Sequence, residues 1–92
     1  MNYYALIYYL EDDYLSRRPA FREKHLGLAE AAKERGELIL GGALGDPPDR
    51  ALLVFRGSDV TVVEQFAERD PYVKNGLVIR WEVQPWTVVI GN

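Results

Sequence analysis

The stretch Tyr3–Leu10 (YYALIYYL) constrains the fold more than any other part of the chain. It is rich in aromatic and aliphatic residues and too short for a helix of that bias, so it reads as a buried strand. A strand alternates its side chains between two faces. Tyr4, Leu6 and Tyr8 therefore point one way, and Tyr3, Ala5, Ile7 and Tyr9 the other. Both sets are large and apolar. A sheet built on this strand has to be covered on both faces.

The remaining elements follow in order. Glu11-Asp12-Asp13 ends the strand in an acidic loop. A helix is predicted from about Ser16 to Arg35, with Ser16 as N-cap, Pro19 in the first turn and Gly36 as the C-terminal stop. Glu37–Leu44 and Arg50–Phe55 read as two strands of a hairpin, joined by the turn cluster Gly45-Asp46-Pro47-Pro48-Asp49. Ser58 or Asp59 caps a second helix from about Val60 to Arg69, whose apolar face is Val63, Phe66 and Ala67. Asp70 continues that face by angle and ends the helix, because the residue before a proline disfavours the α region and Pro71 follows. Val78–Val83 is a fourth strand. Pro85 breaks it, and Trp86–Ile90 forms a short fifth segment.

The order is β-α-β-β-α-β with a C-terminal extension, a ferredoxin-like α+β pattern within one domain spanning residues 1–92. Two helices cover only one face of such a sheet. The simplest cover for the other is a second copy, which predicts a homodimer with facing sheets, a dimeric α+β barrel. Composition points the same way: 48% of 92 residues are hydrophobic, a generous supply for so small a core.

Other classes are argued against. The net charge is −3 and the basic residues are scattered, which does not suit a nucleic-acid binder. Without cysteine there are no disulfides, thiolate nucleophiles or cysteine metal ligands. The start Met1-Asn2-Tyr3-Tyr4 lacks a basic leader, and no apolar run nears the ~20 residues that span a bilayer. The expectation is a soluble, cytoplasmic protein without membrane partners.

The chemistry centres on His25, the only histidine. On the first predicted helix it falls within the apolar stripe, among Phe21, Leu28, Ala29 and Ala32. A buried imidazole needs a hydrogen-bond partner or a cavity. It can simply bond a backbone carbonyl, or it can act as a general acid or base. Asp70, on the inner face of the second helix, is the natural partner, and can equally be an ordinary turn residue before Pro71. A carboxylate on one ring nitrogen fixes the tautomer and frees the other nitrogen to act. Arg22, at the edge of the inner stripe, can anchor an anionic substrate or pair with a surface carboxylate. Tyr72 can offer a phenol to the same cleft or lie as a lid on the core. Gly41-Gly42 would let a ligand approach strand backbone, or mark a bulge. One histidine and no cysteine make a metal site unexpected. No nucleotide-binding glycine motif is present and no Ser-His-Asp triad can be assembled, so no cofactor is expected.

Five segments in this order resemble the YciI family over nearly the whole chain. They are Arg22-Glu23-Lys24-His25-Leu26, Gly36–Leu44, Ala51–Phe55, Asp70-Pro71-Tyr72-Val73-Lys74-Asn75-Gly76-Leu77-Val78 and Val83-Gln84-Pro85-Trp86. The Asp-Pro-Tyr-Val segment is the most specific. The resemblance implies a dimeric α+β barrel of the kind also used by muconolactone isomerase. It also implies a His–Asp pair as the site, here His25 and Asp70. One relative is a dehydrochlorinase acting on a chlorinated hydroxyhydroquinone, and most have no assigned reaction. Many relatives have Pro-Ala where this chain has Glu23-Lys24. Many also have Gly-Pro where it has Gly42-Ala43, a difference at the cleft floor that bears on substrate choice.

The leading expectation is a small cofactor-independent enzyme. His25, oriented by Asp70, would move a proton on a cyclic or unsaturated small molecule, in an isomerisation or an elimination such as dehydrochlorination. Arg22, Tyr72, Gly41 and Gly42 would contact the substrate. The alternative is a non-catalytic module that binds a small molecule or dimerises, since fold does not fix function.

Overall fold

The computed structural model describes residues 2–91. Strand β1 (Asn2–Leu10) lies inside a four-stranded antiparallel sheet of order β2-β3-β1-β4, with β2 at Leu38–Gly45, β3 at Pro48–Gly57 and β4 at Val78–Trp86. The helices are α1 (Tyr14–Arg17), α2 (Arg22–Glu34), α3 (Thr61–Arg69) and α4 (Pro71–Lys74). This is the ferredoxin-like α+β arrangement. No helix among the described residues is long and apolar enough to cross a membrane.

The alternation of β1 holds. Tyr4, Leu6, Tyr8 and Leu10 are buried and join Ala51, Leu53 and Phe55 of β3 in one core with Ala32, Val63, Phe66, Ala67 and Leu77. On the opposite face, Tyr3, Ala5, Ile7 and Tyr9 lie beside Leu52 and Val54 by register, with Leu40 next to Val54. None of the described helices covers that side, and Leu40 is 64% exposed.

Three local expectations change. The first helix is broken: α1 passes into a 3₁₀ turn at Arg18–Ala20, and α2 restarts after Phe21, whose ψ is −3°. Pro19 has no N–H to give to a continuing helix, so the chain resets one turn later. Ser16 is not a cap; its hydroxyl donates to the Asp13 carbonyl. Second, β4 runs through Pro85 to Trp86. It is an edge strand, where a missing N–H is tolerated on the outer side. The segment after Trp86 forms no fifth strand among the described residues. Third, a short helix, α4, follows Asp70 directly.

The helix ends nearest the site are built by local chemistry. Gly36 adopts φ +77°. Its N–H reaches the Lys33 carbonyl and the Glu37 N–H reaches that of Ala32, a Schellman closure of α2. At the start of α3 the Asp59 carboxylate accepts the Thr61 N–H at 2.8 Å.

Candidate active site

Asp70 sits in the joint between α3 and α4. Its ψ of 121° is the extended conformation that the following Pro71 enforces, and it both ends one helix and caps the next. This turns its side chain inward, where it is 0% exposed, the single buried charged or polar residue among those described. Three donors converge on it. The Tyr72 N–H donates to Oδ1 at 2.9 Å, the Tyr8 hydroxyl to Oδ2 at 2.7 Å, and His25 Nδ1 lies 2.9 and 3.0 Å from the two oxygens. A carboxylate offers only acceptors, so Nδ1 carries the proton and donates. In the neutral ring Nε2 then keeps its lone pair, and it makes no hydrogen bond among the described residues.

The ring of Tyr72 stacks on His25, with centroids 3.9 Å apart and planes 10° from parallel. Tyr14 meets Tyr72 edge-on at 5.7 Å. His25 is thus held by a carboxylate at one nitrogen and an aromatic face along its plane. It borders a cavity of about 430 Å³ between α2 and the β2–β3 hairpin. Arg22, Tyr72, Gly41 and Gly42 all border the same cavity, so every residue singled out in the sequence lies at or beside it except Asp70, which stands behind His25. The two glycines differ. Gly41 lies opposite Leu53 on the helix-covered face, where an added Cβ would come within 3.2 Å of the Leu53 side chain. Gly42 is opposite Leu52 on the open face and an added Cβ there would meet nothing within 4 Å, so it contributes backbone only.

Tyr8 was not singled out in the sequence. The available signal was a tyrosine at a core-facing strand position, because a buried phenol needs an acceptor. Arg18, Glu30 and Lys33 also line the cavity.

A family model for the YCII-related domain matches residues 1–87. The chain belongs to the YCII-related family. No curated protein matches this YCII-related chain in sequence. Among solved structures, 5-chloro-2-hydroxyhydroquinone dehydrochlorinase from Burkholderia phenoliruptrix AC1100, in complex with 2,5-dihydroxybenzoquinone, is similar with a TM-score of 0.76 at 22% identity, covering 92% of this chain and 93% of that one. A protein from Agrobacterium tumefaciens is similar with a TM-score of 0.62 at 15% identity, covering 98% and 95%. At these identities the likeness is one of fold.

Electrostatics at the YCII-related site favour protonated phenols. Burial first, then the charge of Asp70 and the hydrogen bond to it, push the Tyr8 phenol far above its ordinary 10.0. Burial and the neighbouring Tyr14 raise Tyr72, opposed by Arg22 and Arg18 and assisted by Asp70. The sign for stability follows. Above pH ~10 the unfolded chain releases the Tyr8 proton while the folded chain keeps it, so stability falls as pH rises, by about 1.4 kcal/mol per pH unit for one proton. Tyr8→Phe should lose stability less steeply than wild type between pH 10 and 11 (roughly one proton's worth) in denaturant titrations. Equal slopes would mean that Tyr8 ionises in the fold as readily as outside it.

Proposed function

We propose that this YCII-related protein is a small acid–base enzyme in which His25 Nε2 moves a proton on a cyclic or unsaturated small molecule, with Asp70 orienting the imidazole. The observation that carries the reading is the 2.9 Å bond from His25 Nδ1 to a fully buried carboxylate, on a ring that borders a cavity of substrate size. Isomerisation and elimination both fit, because each needs a base at one carbon and no covalent nucleophile. Elimination of halide has added support from the fold shared with a dehydrochlorinase.

The test is a panel of muconolactone-type lactones and halogenated hydroxyhydroquinones, scored for chloride release and for solvent deuterium incorporation. His25→Ala should lower the rate roughly 10²–10⁴-fold. If wild type binds members of the panel and neither turns over nor exchanges any, the protein is a binding module instead.

The same proposal includes a homodimer across the open sheet face. Tyr3, Ala5, Ile7, Leu52 and Val54 form its apolar centre. Some of the polar groups beside them are engaged within one chain: the Tyr9 hydroxyl donates to Glu82 at 2.5 Å, which together with Gln84 holds that carboxyl below its usual range, and the Arg80 guanidinium lies 3.9 Å over the Tyr9 ring. A second apolar sheet can therefore cover the Tyr9 hydroxyl with its hydrogen bond already made. Sedimentation equilibrium should return twice the 10.5 kDa chain mass. A monomer at micromolar concentration would refute the dimer.

A further inference from the structure

Two features of the cavity are left unused by proton transfer. The Tyr72 side chain is 2% exposed, and its hydroxyl has no hydrogen-bond partner among the described residues. A buried hydroxyl without a partner costs about 1–3 kcal/mol, so such an atom is rarely left idle. The second feature is a pair of free guanidinium groups. Arg18 and Arg22 both line the cavity beside Tyr72, and neither enters a salt bridge among the described residues, where Arg17 pairs with Asp13 and Arg35 with Glu37. Arg18 lies 5.5 Å over the Tyr14 ring, which in turn abuts Tyr72. The charges of both arginines act on the Tyr72 hydroxyl. On the far rim, by contrast, Lys33 stands one turn from Glu30 on α2, so those charges offset each other.

We propose that the cavity selects a small planar ring compound bearing a carboxylate, with Arg18 and Arg22 forking onto its oxygens and the Tyr72 hydroxyl donating a third hydrogen bond. Guanidinium groups match carboxylate geometry, and charge-assisted bonds of this kind are the strong ones. Arg18 is half-buried and Arg22 exposed, so both guanidinium groups can swing onto an arriving anion. The carboxylate end then lies against Arg18, Arg22 and Tyr72 and the ring extends past His25, whose Nε2 meets a ring carbon. The apolar wall of Leu26, Ala29 and Leu53 takes the ring itself. The assignment rests on the proposed role of His25 only for the direction in which the ring extends.

The probes are 2,5-dihydroxybenzoate and its neutral isostere 2,5-dihydroxybenzamide, titrated calorimetrically into wild type and into His25→Ala, which isolates binding from turnover. The acid should bind about tenfold more tightly than the amide in both proteins, and the difference should shrink with added salt. The double variant Arg18→Gln/Arg22→Gln should reduce the acid's advantage over the amide to within about twofold, and Tyr72→Phe, which keeps the stack on His25, should weaken the acid several-fold more than the amide. Equal binding of acid and amide, a preference that survives the double variant, or no binding of the acid at millimolar concentration would each overturn the assignment. A preference that stands while no compound is ever turned over leaves the carboxylate site intact and removes the catalytic role of His25.

Discussion

Asp70→Ala should lower the stability of the fold by about 3 kcal/mol, a large share of the roughly 5–14 kcal/mol expected for a domain of this length. Removing the carboxylate strands three donors at once. The Tyr8 hydroxyl is the worst placed. Its residue is 1% exposed and the hydroxyl has no other partner among the described residues, so it carries a desolvation penalty of about 1–3 kcal/mol. The Tyr72 N–H loses the cap of α4, which costs about 1 kcal/mol. His25 suffers least, because its side chain is 16% exposed and can turn its free donor toward water. Thermal melts should show Tm lowered by about 12–24 °C. The cause can be isolated with Tyr8→Phe in the Asp70→Ala background. Deleting the stranded hydroxyl should return about 1–2 kcal/mol, whereas in wild type the same change removes a satisfied bond and destabilises. A loss below about 1 kcal/mol for Asp70→Ala would show that other groups or water already meet these donors.

The site was half legible from the chain, and the reason lies in which signals are local. His25 stands out because helical periodicity is local: three or four neighbours on either side define the stripe it interrupts. Asp70 stands out because Pro71 fixes its backbone and the preceding turn fixes its face. Tyr8 belongs to the same network and was missed. Alternation says that Tyr8 faces the helices, yet Tyr4 faces them as well, and only the placement of α3 over the sheet decides which tyrosine meets a carboxylate 62 residues away. Two elements differ from expectation for different reasons. Pro85 looks like a strand breaker until β4 is known to be an edge, and strand order is a property of the whole sheet. The break at Phe21 has a local signal in Pro19: the same missing N–H suits the first turn of one long helix or the end of a shorter one, and the chain takes the second course. Arg18 opens the 3₁₀ turn and Arg22 opens α2, and both line the cavity.

Asp70→Asn separates the structural and chemical roles of this carboxylate. Asparagine keeps the volume. Its amide oxygen can still accept the Tyr72 N–H, and its NH₂ can donate to the Tyr8 oxygen, so two of the three stranded groups are met again. The fold should therefore lose only about 1 kcal/mol, clearly less than with alanine. The third contact inverts. An NH₂ at the Oδ2 position lies 3.0 Å from Nδ1, and the amide oxygen already takes the Tyr72 N–H, so the arrangement without two opposed N–H groups puts the ring proton on Nε2 and removes its lone pair. Turnover should fall roughly 10²–10⁴-fold, comparable to His25→Ala, with Tm lowered by only about 4–8 °C. Because the chain holds a single histidine, the tautomer can be read without assignment from the ¹⁵N shifts of its ring. Wild type should report a protonated Nδ1 and Asp70→Asn a protonated Nε2. If the asparagine variant keeps the Nδ1 proton and turns over substrate within about threefold of wild type, Asp70 holds the helices together and orients nothing.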